Sequence, residues 1–213
     1  MSVHPPLDWP DYRSSKLRAP RRPPEPLELR GPLLVHERIG PAESDLTTAG
    51  PLGERIIVHG RVVDTDGRAL PNTLIELWQA NAAGRYSHPA DQHPAPLDPN
   101  FAGAGRCVTD DAGGFRFVTV KPGAYPWGNH DNAWRPAHIH FSLIGRALTQ
   151  RLVTQMYFPG DPLFFQDPIL NSVRDPAARE SLIARFDLET TVPDWALAYR
   201  FDIVLRHTPL EAE

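Results

Sequence analysis

Apolar and polar residues alternate with a period of two along several short stretches, and the alternation begins at residue 55. Residues 55–64 read as a strand that ends at the turn Thr65-Asp66-Gly67-Arg68. Residues 73–79, β-branched and apolar, predict the next. Residues 105–109 and 115–120 flank Asp110-Asp111-Ala112-Gly113-Gly114, a tight turn whose residues tolerate positive φ. Residues 138–144 and 151–158 predict two more strands. Over 197–206, Tyr199, Phe201, Ile203 and Leu205 alternate with polar or smaller residues, the mark of a half-buried strand. One helix is predicted near the C-terminus, with Asp175 as N-cap, Pro176 in the first turn, and Leu182, Ile183 and Phe186 as its apolar stripe. Six or seven short strands separated by turns indicate an all-β fold, a β-sandwich of mixed short strands with long loops and one short helix.

The first 54 residues follow neither period. Of the chain's 24 prolines, eight fall within its first 32 residues, beside Arg13, Lys16, Arg18, Arg21 and Arg22. Such a stretch works against helices and central strands. It divides the chain into a proline-rich N-terminal arm (1–54), expected to pack on a partner subunit, and a sandwich domain (55–213). Across 213 residues, 22 basic and 26 acidic side chains leave a net charge of −4. That balance excludes non-specific nucleic-acid binding, which needs a positive excess. No apolar run approaches the ~20 residues that span a bilayer. Met1-Ser2-Val3-His4-Pro5-Pro6 has no apolar secretory core, and a single cysteine, Cys107, suits a reducing cytoplasm.

Candidate chemistry starts at His138-Ile139-His140. Within a strand, these imidazoles project from one face while Ile139, Phe141 and Leu143 cover the other. Same-face imidazoles suit iron, copper or zinc. Zinc would want cysteine or a third histidine, and Cys107 has no partner at metal-site spacing. An Fe(II) facial triad wants a carboxylate, but Phe141-Ser142-Leu143-Ile144 follows without one. Upstream, two of the five tyrosines, Tyr86 and Tyr125, sit in loops that leave strands. Each taken singly reads as a packing residue with a solvated hydroxyl. Arg135, taken singly, reads as a strand-edge arginine in a salt bridge.

Four motifs together resemble the intradiol ring-cleaving dioxygenases. They are Trp78-Gln79-Ala80-Asn81 leading to Gly84-Arg85-Tyr86; Pro96-Leu97-Asp98-Pro99-Asn100-Phe101; Lys121-Pro122-Gly123-Ala124-Tyr125-Pro126-Trp127; and Trp134-Arg135-Pro136-Ala137-His138-Ile139-His140-Phe141. The likeness covers 53–206, with an echo at Pro10-Asp11-Tyr12, and omits 27–52. It implies that Tyr86, Tyr125, His138 and His140 hold a mononuclear non-haem Fe(III), Tyr125 and His140 axially, with Tyr86, His138 and a hydroxide equatorial. It also implies that Arg135 stands beside the substrate ring and Gln155 near it, that Trp127 and Ile169 line the pocket, and that Tyr12 touches substrate. Tyr125 and Arg135 would be the catalytic pair, Tyr125 taking a substrate proton and Arg135 stabilising charge on the ring.

Within the family the arm, proline-rich rather than helical, favours protocatechuate as substrate, cleaved with O2 to 3-carboxy-cis,cis-muconate in aromatic catabolism by the β-ketoadipate route. Catechol, hydroxyquinol and 4-sulfocatechol are the alternatives, and the run Pro162-Leu163-Phe164-Phe165-Gln166-Asp167 departs from the family pattern. The resemblance further implies a related α subunit, without iron ligands, in a larger hetero-oligomer. A second class of reading is a non-catalytic sandwich module for adhesion or carbohydrate binding, supported by the likeness of residues 58–115 to carboxypeptidase-regulatory-like domains. Colour separates the two, because phenolate-to-iron charge transfer makes an iron protein red-brown.

Overall fold

β-Branched and aromatic side chains at every second position can be buried only if two sheets face one another, and this is how the chain folds. The computed structural model describes residues 39–89, 91–126, 133–144 and 151–205. In the first sheet, β1 (Arg55–Val63) is central. β4 (Gly114–Val120) pairs antiparallel along one side of it. β10 (Ala196–Arg200) and β11 (Ile203–Val204) run parallel along the other, and β9 (Arg185–Val192) lies outside β10. The second sheet is antiparallel throughout, in the order β3 (Ala104–Val108), β2 (Leu74–Trp78), β7 (His138–Ile144), β8 (Arg151–Tyr157). β5 (Tyr125–Pro126) and β6 (Trp134–Arg135) form a separate ladder that sets Tyr125 opposite Arg135.

The core lies between the sheets. Ile56 and Val58 of β1, Phe117 of β4, Leu77 of β2, and Ile139, Phe141 and Leu143 of β7 are all fully buried there. Phe141 is edge-on to both Phe115 and Phe117, at centroid distances of 6.0 and 6.3 Å, a favoured aromatic geometry. Tyr199, Phe201, Ile203 and Leu205 are buried as their alternation predicts. Their backbone is nevertheless two strands rather than one, because β1 exchanges β10 for β11 at Gly60. The Phe201 N–H donates to the His59 carbonyl (2.8 Å), and a Cβ on Gly60 would lie 2.0 Å from the Phe201 carbonyl oxygen. Only glycine permits that approach.

Two expectations are corrected. The capped helix exists as α2 (Pro176–Glu180), with the Asp175 carboxylate accepting from the Ala177 N–H. It ends before its predicted stripe: Ile183 bridges to Tyr157, and Phe186 belongs to β9. Strand partners on β8 and β10 capture that backbone, so tertiary pairing overrides helical period. A second short helix, α1 (Pro168–Ser172), was not anticipated, nor was β9. Described residues that precede 55 also pack on the sandwich. Leu46 hydrogen-bonds Val118 (2.8 Å) and packs against the core, and Glu43 ion-pairs with Arg106 of β3. Most of the N-terminal arm, with Tyr12, lies outside the described residues, as does Trp127. Cys107 is a free thiol packed against the core, and burial pushes it up to about 12. Among the described residues no helix is long and apolar enough to cross a membrane.

This packing makes one prediction for stability. Phe141→Ala should lower the unfolding free energy by about 3–5 kcal/mol, whereas Val153→Thr, at an exposed position of β8, should change it by no more than about 0.5 kcal/mol. Urea titrations of the two variants check the contrast.

Candidate metal centre

Because one face of β7 is committed to the core, His138 and His140 must project from the other. His138 is buried and His140 half-buried. The loop after β2 brings Tyr86 to this face, and β5 brings Tyr125. Tyr125 Oη lies 3.1 Å from His138 Nε2, and Tyr86 Oη lies 3.1 Å from His140 Nε2. The two phenol rings meet edge-on at 5.5 Å and the two imidazoles at 4.9 Å. Four side chains drawn from three separate segments therefore converge.

The backbone that delivers them is tightly specified. Asn81, buried after β2, accepts from the Ala83 and Arg85 N–H groups through its side-chain oxygen (3.0 and 2.9 Å), and its amide donates to the Pro96 carbonyl (2.9 Å). Gly84 takes a left-handed φ of 81°, and a Cβ there would lie 2.2 Å from the Ala124 carbonyl oxygen. That approach sets the Tyr86 loop against the segment carrying Tyr125. Asp91 accepts from the Tyr86 N–H at 2.8 Å. Gln79 ties the end of β2 to β4, donating to the Val120 carbonyl (2.8 Å) and accepting from the Thr119 hydroxyl (2.9 Å). Trp78 stacks flat on His140, at 4.9 Å between centroids and 6° between planes.

The charges are set by burial. Burial, then Arg135 and His140, hold His138 well below the ordinary imidazole range. Burial and Arg135 bring His140 down to about 4. Both rings are thus neutral at pH 7, the form that donates a lone pair to a metal. His138 Nδ1 lies 2.7 Å from the Pro136 carbonyl oxygen. Arg135 Nη1, which can only donate, lies 2.9 Å from His138 Nε2. The proton therefore resides on Nδ1, and Nε2 presents its lone pair toward the phenols. Burial, then the neighbouring Tyr125, push the Tyr86 phenol well above its ordinary value. A phenol held up in this way, as Tyr86 is, becomes an anion only beside a strongly positive centre. The donor set therefore fits a hard, highly charged cation. Among the described residues no three His, Cys, Asp or Glu side chains cluster, so neither a zinc set nor a carboxylate triad assembles.

Arg135 is 3 % exposed and pairs with Asp167, which is 0 % exposed. Nε donates to Oδ1 at 3.2 Å and Nη2 to Oδ2 at 3.0 Å. Burial opposes the arginine's charge, and the hydrogen bonds and charge of Asp167 outweigh it, raising its pKa. Nη2 also donates to Gln155 Oε1 (2.6 Å) and Tyr157 Oη (2.9 Å), and Tyr157 donates in turn to Gln155 Oε1 (2.7 Å). Arg135 thus has the salt bridge expected of a structural residue and also faces the four rings. Gln155 joins the cluster through Arg135. Ile169 lies on α1 and is tied by its N–H to Asp167 (2.9 Å). Asp167, Tyr157 and Trp78 were not singled out as site residues. The cue for Asp167 was present in Asp167-Pro168, an N-cap followed by proline. A surface groove of about 680 Å³ lies elsewhere, lined by residues such as His59, Cys107 and Arg116.

Comparison with known proteins bears on this arrangement. A family model described as "Dioxygenase" matches residues 29–207, and one described as "Protocatechuate 3,4-dioxygenase beta subunit N terminal" matches residues 2–30. The match thus includes 29–52, which the motifs had left out. The chain is 58 % identical over 221 aligned residues to a protocatechuate 3,4-dioxygenase beta chain from Burkholderia cepacia, covering 98 % of this chain and 94 % of that one. It is 35 % identical to a protocatechuate 3,4-dioxygenase alpha chain from Pseudomonas putida, covering 71 % of each. It is 34 % identical to a catechol 1,2-dioxygenase from Acinetobacter baylyi over 67 % of this chain and 49 % of that one, so it spans about half of that relative. Among solved structures, the dioxygenase domain of a dioxygenase and carbohydrate-binding protein fusion from Streptomyces superposes with a TM-score of 0.58 at 27 % identity, covering 78 % of this chain and 88 % of that one.

Two outcomes test the site. Gly84→Ala, strained and without room for a methyl, should lower stability by about 1–3 kcal/mol and reduce the metal bound per chain, read by thermal melting and elemental analysis. For the metal-free chain, His140 binds its proton only near pH 4 when folded and near pH 6.5 when unfolded. The unfolded state therefore takes up more protons between those values, and stability must fall as pH drops through them. Urea midpoints at pH 7.5 and 5 should show a larger drop for the native sequence than for His140→Asn.

Proposed function

Since the chain belongs to the intradiol ring-cleavage dioxygenase family, we propose that it cleaves protocatechuate between its two hydroxyl-bearing carbons, inserting both atoms of O2 to give 3-carboxy-cis,cis-muconate. The observation that carries this reading is 58 % identity, over nearly the whole of both chains, to a protocatechuate 3,4-dioxygenase beta chain. The family uses non-haem iron. We infer a mononuclear Fe(III) held by Tyr86, Tyr125, His138 and His140, whose convergence and protonation states suit it. When bound, that ion would act as a Lewis acid, chelated by the two catechol oxygens and favouring their deprotonated form.

The chain's own residues supply the rest. Tyr125 Oη takes one hydroxyl proton from the substrate. Arg135 Nη1, 3.4 Å away, donates to that oxygen and holds it where the transfer ends. Arg135 remains cationic in a buried site, so it stabilises negative charge that develops on the ring. His138 is kept in one tautomer by Pro136, and His140 is kept in one plane by Trp78. The hydrogen bond of Gln155 to Arg135 supports its role as a substrate contact, and Ile169, Trp127 and Tyr12 are assigned to the same role by motif alone. The similarity to both a beta and an alpha chain supports a hetero-oligomer with a homologous α subunit. The separate match at residues 2–30 supports reading the proline-rich arm as a module that packs on that subunit. The lone thiol suits a cytoplasmic setting.

Oxygen uptake measured in parallel with protocatechuate, catechol, hydroxyquinol and 4-sulfocatechol, alongside an iron assay, tests the proposal. Protocatechuate should give the highest kcat/KM. Tyr125→Phe should retain iron yet slow turnover by about 100-fold or more, and His140→Ala should release the iron. Undiminished turnover in both variants would overturn the assignment.

A further inference from the structure

Arg135 can face the metal cluster only if its guanidinium plane is held, and the structure shows what holds it. Asp167 grips the edge formed by Nε and Nη2 at 3.2 and 3.0 Å. Gln155 and Tyr157 take further bonds from Nη2, at 2.6 and 2.9 Å. The remaining nitrogen, Nη1, is thereby turned toward His138 Nε2 and Tyr125 Oη. Of these partners, Asp167 alone carries charge and contacts two guanidinium nitrogens. A two-point fork fixes the plane of a guanidinium, which a single bond does not. The same carboxylate oxygen that meets Nε also caps α1 by accepting from the Ile169 N–H at 2.9 Å. Orientation of the arginine and placement of Ile169 therefore share one atom.

We propose that Asp167 is the positioning residue for Arg135: through its side-on fork it aims Nη1 at the edge of the metal pocket shared by Tyr125 and His138. The assignment rests on the function proposed above. It makes Asp167 act on the reaction through the arginine rather than by touching substrate. The carboxylate also offsets one positive charge beside the bound metal, so its removal should change the electrostatic setting of Tyr125 while sparing the four metal ligands.

The test compares Asp167→Asn, Arg135→Gln and the double variant in the iron-loaded full chain assembled with its partner subunit. Asparagine remains a good helix cap, so α1 should stay in place and iron content should remain at one per site. With protocatechuate, kcat should fall about tenfold or more, the kinetic equivalent of one charge-assisted hydrogen bond. KM should stay within about threefold, the split expected when a transition-state interaction is lost. The phenolate charge-transfer band should move to longer wavelength as Tyr125 loses its aligned donor. The double variant should be no slower than Arg135→Gln alone. Losses that multiply in the double variant, or an Asp167→Asn enzyme with unchanged kcat and band, overturn the proposal. Should Asp167→Asn not fold, Asp167→Ser keeps a cap and removes the fork, and the same comparisons apply. A separate readout needs no turnover. In the metal-free protein, the ¹⁵N resonance of His138 Nε2 should shift in Asp167→Asn in the same direction as in Arg135→Gln. If that resonance stays put, the positioning role fails; if it shifts but the native protein does not consume protocatechuate, the proposed reaction fails instead.

Discussion

Strand β7 has two faces, and the allocation of those faces fixes nearly everything else. Ile139, Phe141 and Leu143 are fully buried between the sheets, so the strand cannot roll or slip by one residue without exposing all three. His138 and His140 consequently share the opposite face at the fixed spacing of a strand. Pairing to β2 places Trp78 beside His140, and pairing to β8 places Tyr157 and Gln155 beside His138 and His140. The hydrophobic core therefore sets the donor geometry as well as the stability. A site carried on the rigid ladder loses less precision to loop motion than one assembled wholly from loops.

Around that strand, dryness and charge are balanced against each other. Burial favours neutral imidazoles and a neutral Tyr86 phenol, which makes the histidines ready to bind a metal and Tyr86 reluctant to ionise without one. The arginine experiences the same desolvation and keeps its charge because Asp167 is equally buried and meets it through two bonds. Breaking a buried pair of this kind by removing one member is costly, whereas the intact pair adds little net stability. Its position beside the four rings gives it a reason to exist that stability alone does not.

Much of this was legible in the sequence for a physical reason: period-two alternation marks the side chains that face a core, and Ile139, Phe141 and Leu143 of β7 and Tyr199, Phe201, Ile203 and Leu205 near the C-terminus are all buried as it implies. The His138-Ile139-His140 spacing likewise implied two same-face donors. Other features depended on contacts between distant segments. Leu182, Ile183 and Phe186 carry a helical spacing, yet their backbone pairs with β8 and β10, partners that no local window reveals. Tyr86 and Tyr125 have ordinary loop surroundings in sequence. What brings them together is the close passage of Gly84 over Ala124 and the frame around Asn81, both long-range in origin. Asp167-Pro168 carries a capping signal, yet the helix it starts was not anticipated, and the contact of Asp167 with an arginine 32 residues earlier in the chain belongs to the tertiary fold alone.

The small ladder of β5 and β6 ties these observations together. It has two residues on each side and pairs Tyr125 with Arg135, so a ladder too short to be stable by itself carries both a donor and the cation beside it. Its hold must come from the surroundings: Asp167 on the arginine side, Gly84 and its loop on the tyrosine side. Asp161 adds a third tie where β6 turns into β7, accepting from the Ala137 N–H at 3.1 Å. The chain thus places Tyr125 and Arg135 on two-residue strands and anchors each side to a buried or sterically closed neighbour. That construction explains why Gly84, with no room for a Cβ, and Asp167, fully buried against Arg135, matter to the placement of the four rings although neither is one of them.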